Sequence, residues 1–173
     1  FPFEGLTFSN LLRGYGMDWE LGNYAFGAAA GHPFLEAVIE NCVRAQRDPA
    51  WVEQMMSGVP RFSRRAHQVL YSTGPGLLSR TFAENPSVAS TVTVLFPDNV
   101  CDAKSWNRFG DFGVHLMEGS WHPKTNTLSR KLALRWEAFI AAKLHRQSCR
   151  MGKTRSVVLA DRLVPGNVTK IPG

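Results

Sequence analysis

Gly113-Val114-His115-Leu116-Met117-Glu118-Gly119-Ser120-Trp121 gathers an imidazole, a hydroxyl, an indole and two glycines into one short run. Upstream, Tyr71-Ser72-Thr73-Gly74-Pro75-Gly76 pairs hydroxyls with glycine in a similar way. Histidine ligates divalent metals, and glycine lets backbone approach a ligand closely. Serine offers a donor and acceptors to phosphate or sugar oxygens. Tryptophan adds a flat apolar face with one N–H donor. Together these residue types suit a nucleotide-sugar or sugar-phosphate site.

A third segment precedes them, Gly22-Asn23-Tyr24-Ala25-Phe26-Gly27-Ala28-Ala29-Ala30-Gly31-His32-Pro33-Phe34-Leu35. Here a family resemblance emerges. The run from His115 to Trp121 resembles the H-x-x-x-G-S-W signature of glycosyltransferases with a DXD sugar-binding region, a group that includes the yeast-type alpha-1,6-mannosyltransferases. The segment from Asn23 to Leu35 is similar to that family's N-x-x-x-A-x-x-G-H-P-x-L stretch. Val69-Leu70-Tyr71-Ser72-Thr73-Gly74-Pro75 is similar to its V-L-x-x-T-G-P stretch. G-H-P or T-G-P alone is a weak signal; three motifs in one order, over roughly residues 20 to 123, are moderately specific.

The resemblance implies a metal-dependent hexosyltransferase, mannosyl in the named group, that retains anomeric configuration. The donor is a nucleotide sugar and the acceptor a glycan or a lipid- or protein-linked hydroxyl. A divalent metal, manganese or magnesium, is expected in the complete enzyme. The fold implied is α/β of the GT-A type, built on a Rossmann-like sheet. A eukaryotic relative would work in the Golgi lumen, anchored through its amino terminus, and a bacterial one in the cytoplasm.

One departure bears on all of this. The six aspartates (Asp18, Asp48, Asp98, Asp102, Asp111 and Asp161) include no Asp-x-Asp pair. In the family that pair holds the metal and the diphosphate, and its usual place would fall before Phe1. The chain also opens at Phe1-Pro2-Phe3, without an initiator Met or a signal-peptide pattern. The expectation is therefore a single domain, residues 1–173, forming the carboxy-terminal part of a catalytic domain. It would lack the amino-terminal nucleotide-binding half, either as a fragment or as a shortened relative, and would be inactive alone. The rival is a non-catalytic glycan- or partner-binding domain derived from that fold, and a third reading is a basic surface-binding module in residues 122–173.

By the resemblance, His115 is a metal ligand; without it, a histidine at a strand end bonds to backbone. Ser120 and Trp121 would meet the diphosphate, although a turn serine and a core tryptophan explain the same residues; Gly119, counted with them as substrate-binding, serves backbone geometry under either reading. Thr73 and Gly74 would line a sugar, or simply begin a helix, whose free N–H groups also attract anions. Asn23 would face the reacting sugar as the catalytic residue, or bond to backbone at a strand edge. His32, ahead of a proline, reads as structural and suited to capping. Asp98, Asp102 and Asp111 are loop acids whose spacing selects none of them, and Glu118 receives no role.

Composition bounds the alternatives. With 173 residues and 44% hydrophobic content, the chain is long enough for one core. Residues 1–121 hold 9 Lys/Arg against 12 Asp/Glu, and residues 122–173 hold 11 against 2, so a net −3 is followed by a net +9. Such a basic segment can attract nucleic acid, an anionic membrane or acidic partners, but a solvated helix face is the first explanation and attraction to nucleotide phosphates the second. The segment lacks an RNA-binding signature and interleaved aromatics, so nucleic acid is not expected. Cys42, Cys101 and Cys149 are too widely spaced for a zinc site. Asn167-Val168-Thr169 is a glycosylation sequon that has meaning only in a secretory protein. No apolar run reaches the roughly 18 residues a membrane span needs.

These residues require elements to hold them. Residues 6–20 read as loop with a short helix, and 21–30 as a strand entering a closely packed small-residue segment. Pro33 begins a helix whose apolar residues (Phe34, Leu35, Val38, Ile39, Cys42, Val43) recur at helical spacing, and Asp48-Pro49 ends it. Trp51–Met56 reads as a short helix and 57–65 as a basic loop, while 66–71 suits strand or helix. Thr73 is the expected cap of the next helix, with Pro75 inside it. Residues 90–96 alternate as a strand does, 97–112 are loop, and 112–117 are a short strand. Leu128, Leu132, Trp136, Ile140 and Leu144 repeat at i+4 within a helix over about 126–150, expected to pack its apolar face inward. The core is expected within 20–150, with an edge strand near 157–160 and a loose tail over 161–173.

Overall fold

The computed structural model describes residues 3–95 and the helical positions Leu132, Arg135, Trp136 and Phe139. Strands β1 (Phe3–Leu6) and β2 (Trp19–Leu21) pair antiparallel, with Phe3 opposite Leu21, Gly5 opposite Glu20 and Leu6 opposite Trp19. The register shifts between Phe3 and Gly5. Helix α1 (Asn10–Gly14) lies in the connection. Then come α2 (Pro33–Arg47), α3 (Pro49–Met55), a 3-10 turn (Arg61–Ser63), α4 (Arg64–Thr73), α5 (Pro75–Glu84) and α6 (Pro86–Ala89).

Four of these helices start on proline, at Pro33, Pro49, Pro75 and Pro86. Proline suits the first helical position because its φ is already helical and its missing N–H would have been unbonded there. The residues ahead supply the caps. The His32 Nδ1 accepts from the Phe34 amide at 3.3 Å, which bears out a capping role for this histidine. Asp48 ends α2 and begins α3, its Oδ1 accepting the Trp51 amide at 3.1 Å.

Helix α5 is the axis of the fold, buried on every side from Pro75 to Ala83. Its apolar members pack into a common core with Trp19, Leu21, Phe34 and Tyr71. Phe82 sits centrally, its ring 6.1 Å from that of Trp19 and 6.3 Å from that of Phe34. A helix buried all round must satisfy its polar side chains internally. Ser79 donates to the Pro75 carbonyl at 2.7 Å and accepts the Leu21 amide at 2.7 Å. Thr81 donates to the Leu77 carbonyl and accepts from the Asn41 amide group, both at 2.9 Å.

Arg80 is only 3% exposed and spends its guanidinium three ways. Nε meets Glu84 at 2.8 Å, one terminal nitrogen the Trp51 carbonyl at 2.6 Å, and the other Gln54 at 2.8 Å. The guanidinium carbon also stands 3.8 Å from the centre of the Trp51 ring. This fork binds α5 to α3, and Tyr15, just past α1, donates to the same Glu84 at 3.2 Å.

Several expectations change. The strand expected over 21–30 is instead Trp19–Leu21, the stretch that pairs with β1. Ala28, Ala29 and Ala30 are exposed, not closely packed. Residues 66–71 belong to α4, where Tyr71 faces the core. The N-cap of α5 is Gly74; Thr73 is the last residue of α4, its hydroxyl donating to the Val69 carbonyl at 3.3 Å. Residues 92–94 keep a strand-like alternation, Val92 and Val94 buried and Thr93 exposed, and only Leu95 makes a bridge within the described part of 90–96. Trp136 is helical as expected, but its side chain is 53% exposed, so the described part of that apolar face is not packed inward. Among the described residues the strands are the antiparallel pair β1–β2, and the parallel sheet of an α/β, Rossmann-like domain is not among them.

Candidate functional site

The strand that leads into the first motif, β2, packs on α5, the helix that follows the second motif, and reaches Tyr71 of α4. The first contact is the Leu21 amide on Ser79 Oγ, which joins the strand leading to Asn23 to the helix begun by Gly74-Pro75-Gly76. The second is polar and buried. The Tyr71 hydroxyl, at the head of the second motif, donates to Glu20 Oε1 at 3.3 Å. Thr7 donates to the same oxygen at 2.6 Å, and the Ser9 amide donates back to the Thr7 hydroxyl at 3.0 Å. Arg13 donates to the Thr7 carbonyl at 3.1 Å. Burial, and then the neighbouring Glu20 carboxylate, push the Tyr71 phenol well above its ordinary value, so it stays a neutral donor.

The cluster is a lock between elements, since Glu20 of β2 is held from the α4 side by Tyr71 and from the loop before α1 by Thr7. Sequence reasoning missed Glu20 and Arg80. The signal for Glu20 was present: a carboxylate between Trp19 and Leu21 in a strand whose three residues are all buried must find partners. The signal for Arg80 was weaker, one charge amid the apolar residues of α5.

The tight elbow between α4 and α5 explains the glycines of the second motif. A Cβ on Gly74 would lie 3.0 Å from the Leu70 backbone, and one on Gly76 would overlap the Tyr71 ring. Gly74, Pro75 and Gly76 are buried, which leaves Thr73 as the solvent-facing member next to them. Its proton already goes to Val69, so the hydroxyl presents lone pairs outward. Asn23 is exposed two residues beyond Leu21.

His115, Gly119, Ser120 and Trp121 lie outside the described residues, as do Asp98, Asp102, Asp111 and Glu118. Among the described residues no three His, Cys, Asp or Glu side chains group as metal ligands. Cys42 is a partly buried free thiol, raised in pKa by burial. An open depression of about 460 Å³ lies along α2, lined by Ile39, Glu40, Val43, Arg44, Arg47 and Asp48. It is remote from the motif chemistry, for no candidate site residue lines it. Within the described residues no helix is long and apolar enough to cross a membrane. No family model, no curated protein and no solved structure matches the chain.

Proposed function

We propose that the chain contributes the sugar-facing part of a glycosyltransferase of the α/β, GT-A type. The reaction is hexosyl transfer from a nucleotide sugar to a hydroxyl acceptor. The observation that carries this reading is the Leu21–Ser79 hydrogen bond, because it ties the strand leading to the first motif to the helix started by the second. Supporting it are the order of the three motifs and the exposure of Asn23 and Thr73.

In this reading the Asn23 amide supplies a donor and an acceptor to the reacting sugar, and Thr73 accepts from a sugar hydroxyl. Ser120 and the Trp121 indole N–H donate to the leaving diphosphate as its bond to the anomeric carbon breaks, and the acceptor hydroxyl oxygen then bonds that carbon while its proton passes to the departing phosphate oxygen. In the complete enzyme His115 would be one ligand of a divalent metal, which would supply positive charge to the leaving diphosphate. The Asp-x-Asp pair is absent from this sequence and would have to come from another segment.

The test measures transfer from a panel of nucleotide sugars, with manganese present. It uses the 173-residue chain alone and the same chain fused behind an Asp-x-Asp-bearing segment of a glycosyltransferase of the resembled type. The expected result is no transfer alone, transfer in the fusion, and a loss of about 10²-fold or more on Asn23→Ala. A fusion that binds glycans without turnover would assign the chain to a non-catalytic binding domain. Turnover insensitive to both Asn23→Ala and Thr73→Val would remove these residues from the site.

A further inference from the structure

The helical positions near the carboxy-terminal end carry an apolar stripe facing solvent. Leu132, Trp136 and Phe139 are 57%, 53% and 60% exposed. At 100° per residue they fall within about 60° of the helix circumference. The Trp136 and Phe139 rings stand 5.7 Å apart with only 31° between their planes, forming one broad apolar surface. Beside that stripe Arg135 is exposed as well. The surrounding sequence supplies Arg130, Lys131, Lys143 and Arg146, and residues 122–173 hold 11 basic against 2 acidic residues.

We propose that this helix lies in the interface of an anionic lipid bilayer, with Leu132, Trp136 and Phe139 among the acyl chains and the basic residues among the headgroups. Leucine and aromatic residues on one face, with Lys and Arg around them, are the composition of helices that rest in the membrane plane. Tryptophan suits that depth because its ring is apolar while its N–H still reaches a polar partner. Charge decides among the occupants. Two copies pairing through this face would bring together two segments of net +9, a repulsion that an anionic surface turns into attraction. In the sequence the basic residues also continue through Lys153, Arg155, Arg162 and Lys170. An extended field of headgroups meets all of them. This inference uses none of the residues of the proposed sugar site and stands or falls separately from it.

The test is co-sedimentation of the 173-residue chain with vesicles of pure phosphatidylcholine and of phosphatidylcholine with 30 mol% phosphatidylserine (about that fraction gives a strongly negative surface). Binding is expected to the anionic vesicles only and to fall steeply with added salt. The double variant Trp136→Ala, Phe139→Ala should weaken binding by about tenfold or more, since both rings lose their burial. Its circular dichroism and unfolding midpoint should match the parent, because neither side chain is packed inward. Failure of the parent to sediment with anionic vesicles would overturn the proposal, as would binding that the double variant leaves unchanged. Light scattering that shows a parent dimer and a variant monomer would instead assign the face to a second copy. Aromatic-dependent binding to single-stranded RNA without vesicle binding would overturn it in favour of nucleic acid.

Discussion

The Tyr71 ring fills the space that a Cβ on Gly76 would need, so the elbow between α4 and α5 closes only around glycine. Tyr71 is fully buried and held at its far end by Glu20, which leaves the ring no room to swing aside. Gly76→Ala, which in most helices stabilises, should here destabilise by about 1–3 kcal/mol. Gly14→Ala is the control: nothing lies within 4 Å of its added methyl, and it should stabilise by roughly 0.4–1 kcal/mol. Denaturant unfolding of the two variants checks the opposite signs.

The same tyrosine gives the fold an alkaline limit. Its pKa is raised in the folded state by burial and by Glu20, so the native protein holds a proton that the unfolded chain releases. This contribution is fully present below the ordinary tyrosine value of about 10 and is lost as pH rises above it. Stability should fall there by at most about 1.4 kcal/mol per pH unit from this group. Tyr71→Phe should remove that part of the slope, at a cost near neutrality of about 1 kcal/mol for the lost hydrogen bond. Urea titrations from pH 8 to 11 would show the two curves approaching each other.

Arg80 and Arg64 separate a buried ion pair from an exposed one. Arg80→Met strands the Trp51 carbonyl, Gln54 and Glu84 and should cost roughly 3 kcal/mol. Arg80→Lys should recover little, because an ammonium cannot present a planar fork to three partners. Arg64, paired with Glu53 at 2.8 Å while both side chains remain largely exposed, should tolerate alanine within about 0.5 kcal/mol. Thermal unfolding of the three variants distinguishes the cases.

Trp136→Ala should change stability by no more than about 0.5 kcal/mol, the usual range for a surface substitution. Burial would have made the same change cost roughly 3–5 kcal/mol. Calorimetric unfolding of this variant, beside a Trp51→Ala variant that empties a buried site, gives the comparison directly.

Local chemistry accounts for what the sequence by itself determined. Pro33 after His32 and Pro49 after Asp48 specify helix starts whatever surrounds them, because a ring-fixed φ and a side-chain cap act within three residues. The helix-start reading of Thr73-Gly74-Pro75 is of the same kind, since Pro75 opens α5. The charge division between residues 1–121 and 122–173 is likewise a property of composition alone.

Tertiary contact decided the rest. Val69-Leu70-Tyr71 suits strand or helix by pattern, and it is helix because Tyr71 then enters the core and reaches Glu20. Whether Thr73 or Gly74 caps α5 depended on how closely α4 approaches, since the Leu70 backbone excludes a side chain at position 74. The periodicity of Leu132, Trp136 and Phe139 specified a shared helix face, but not what covers it. Burial of a side chain depends on partners distant in sequence, and a hydrophobic period records only that its members lie on the same side.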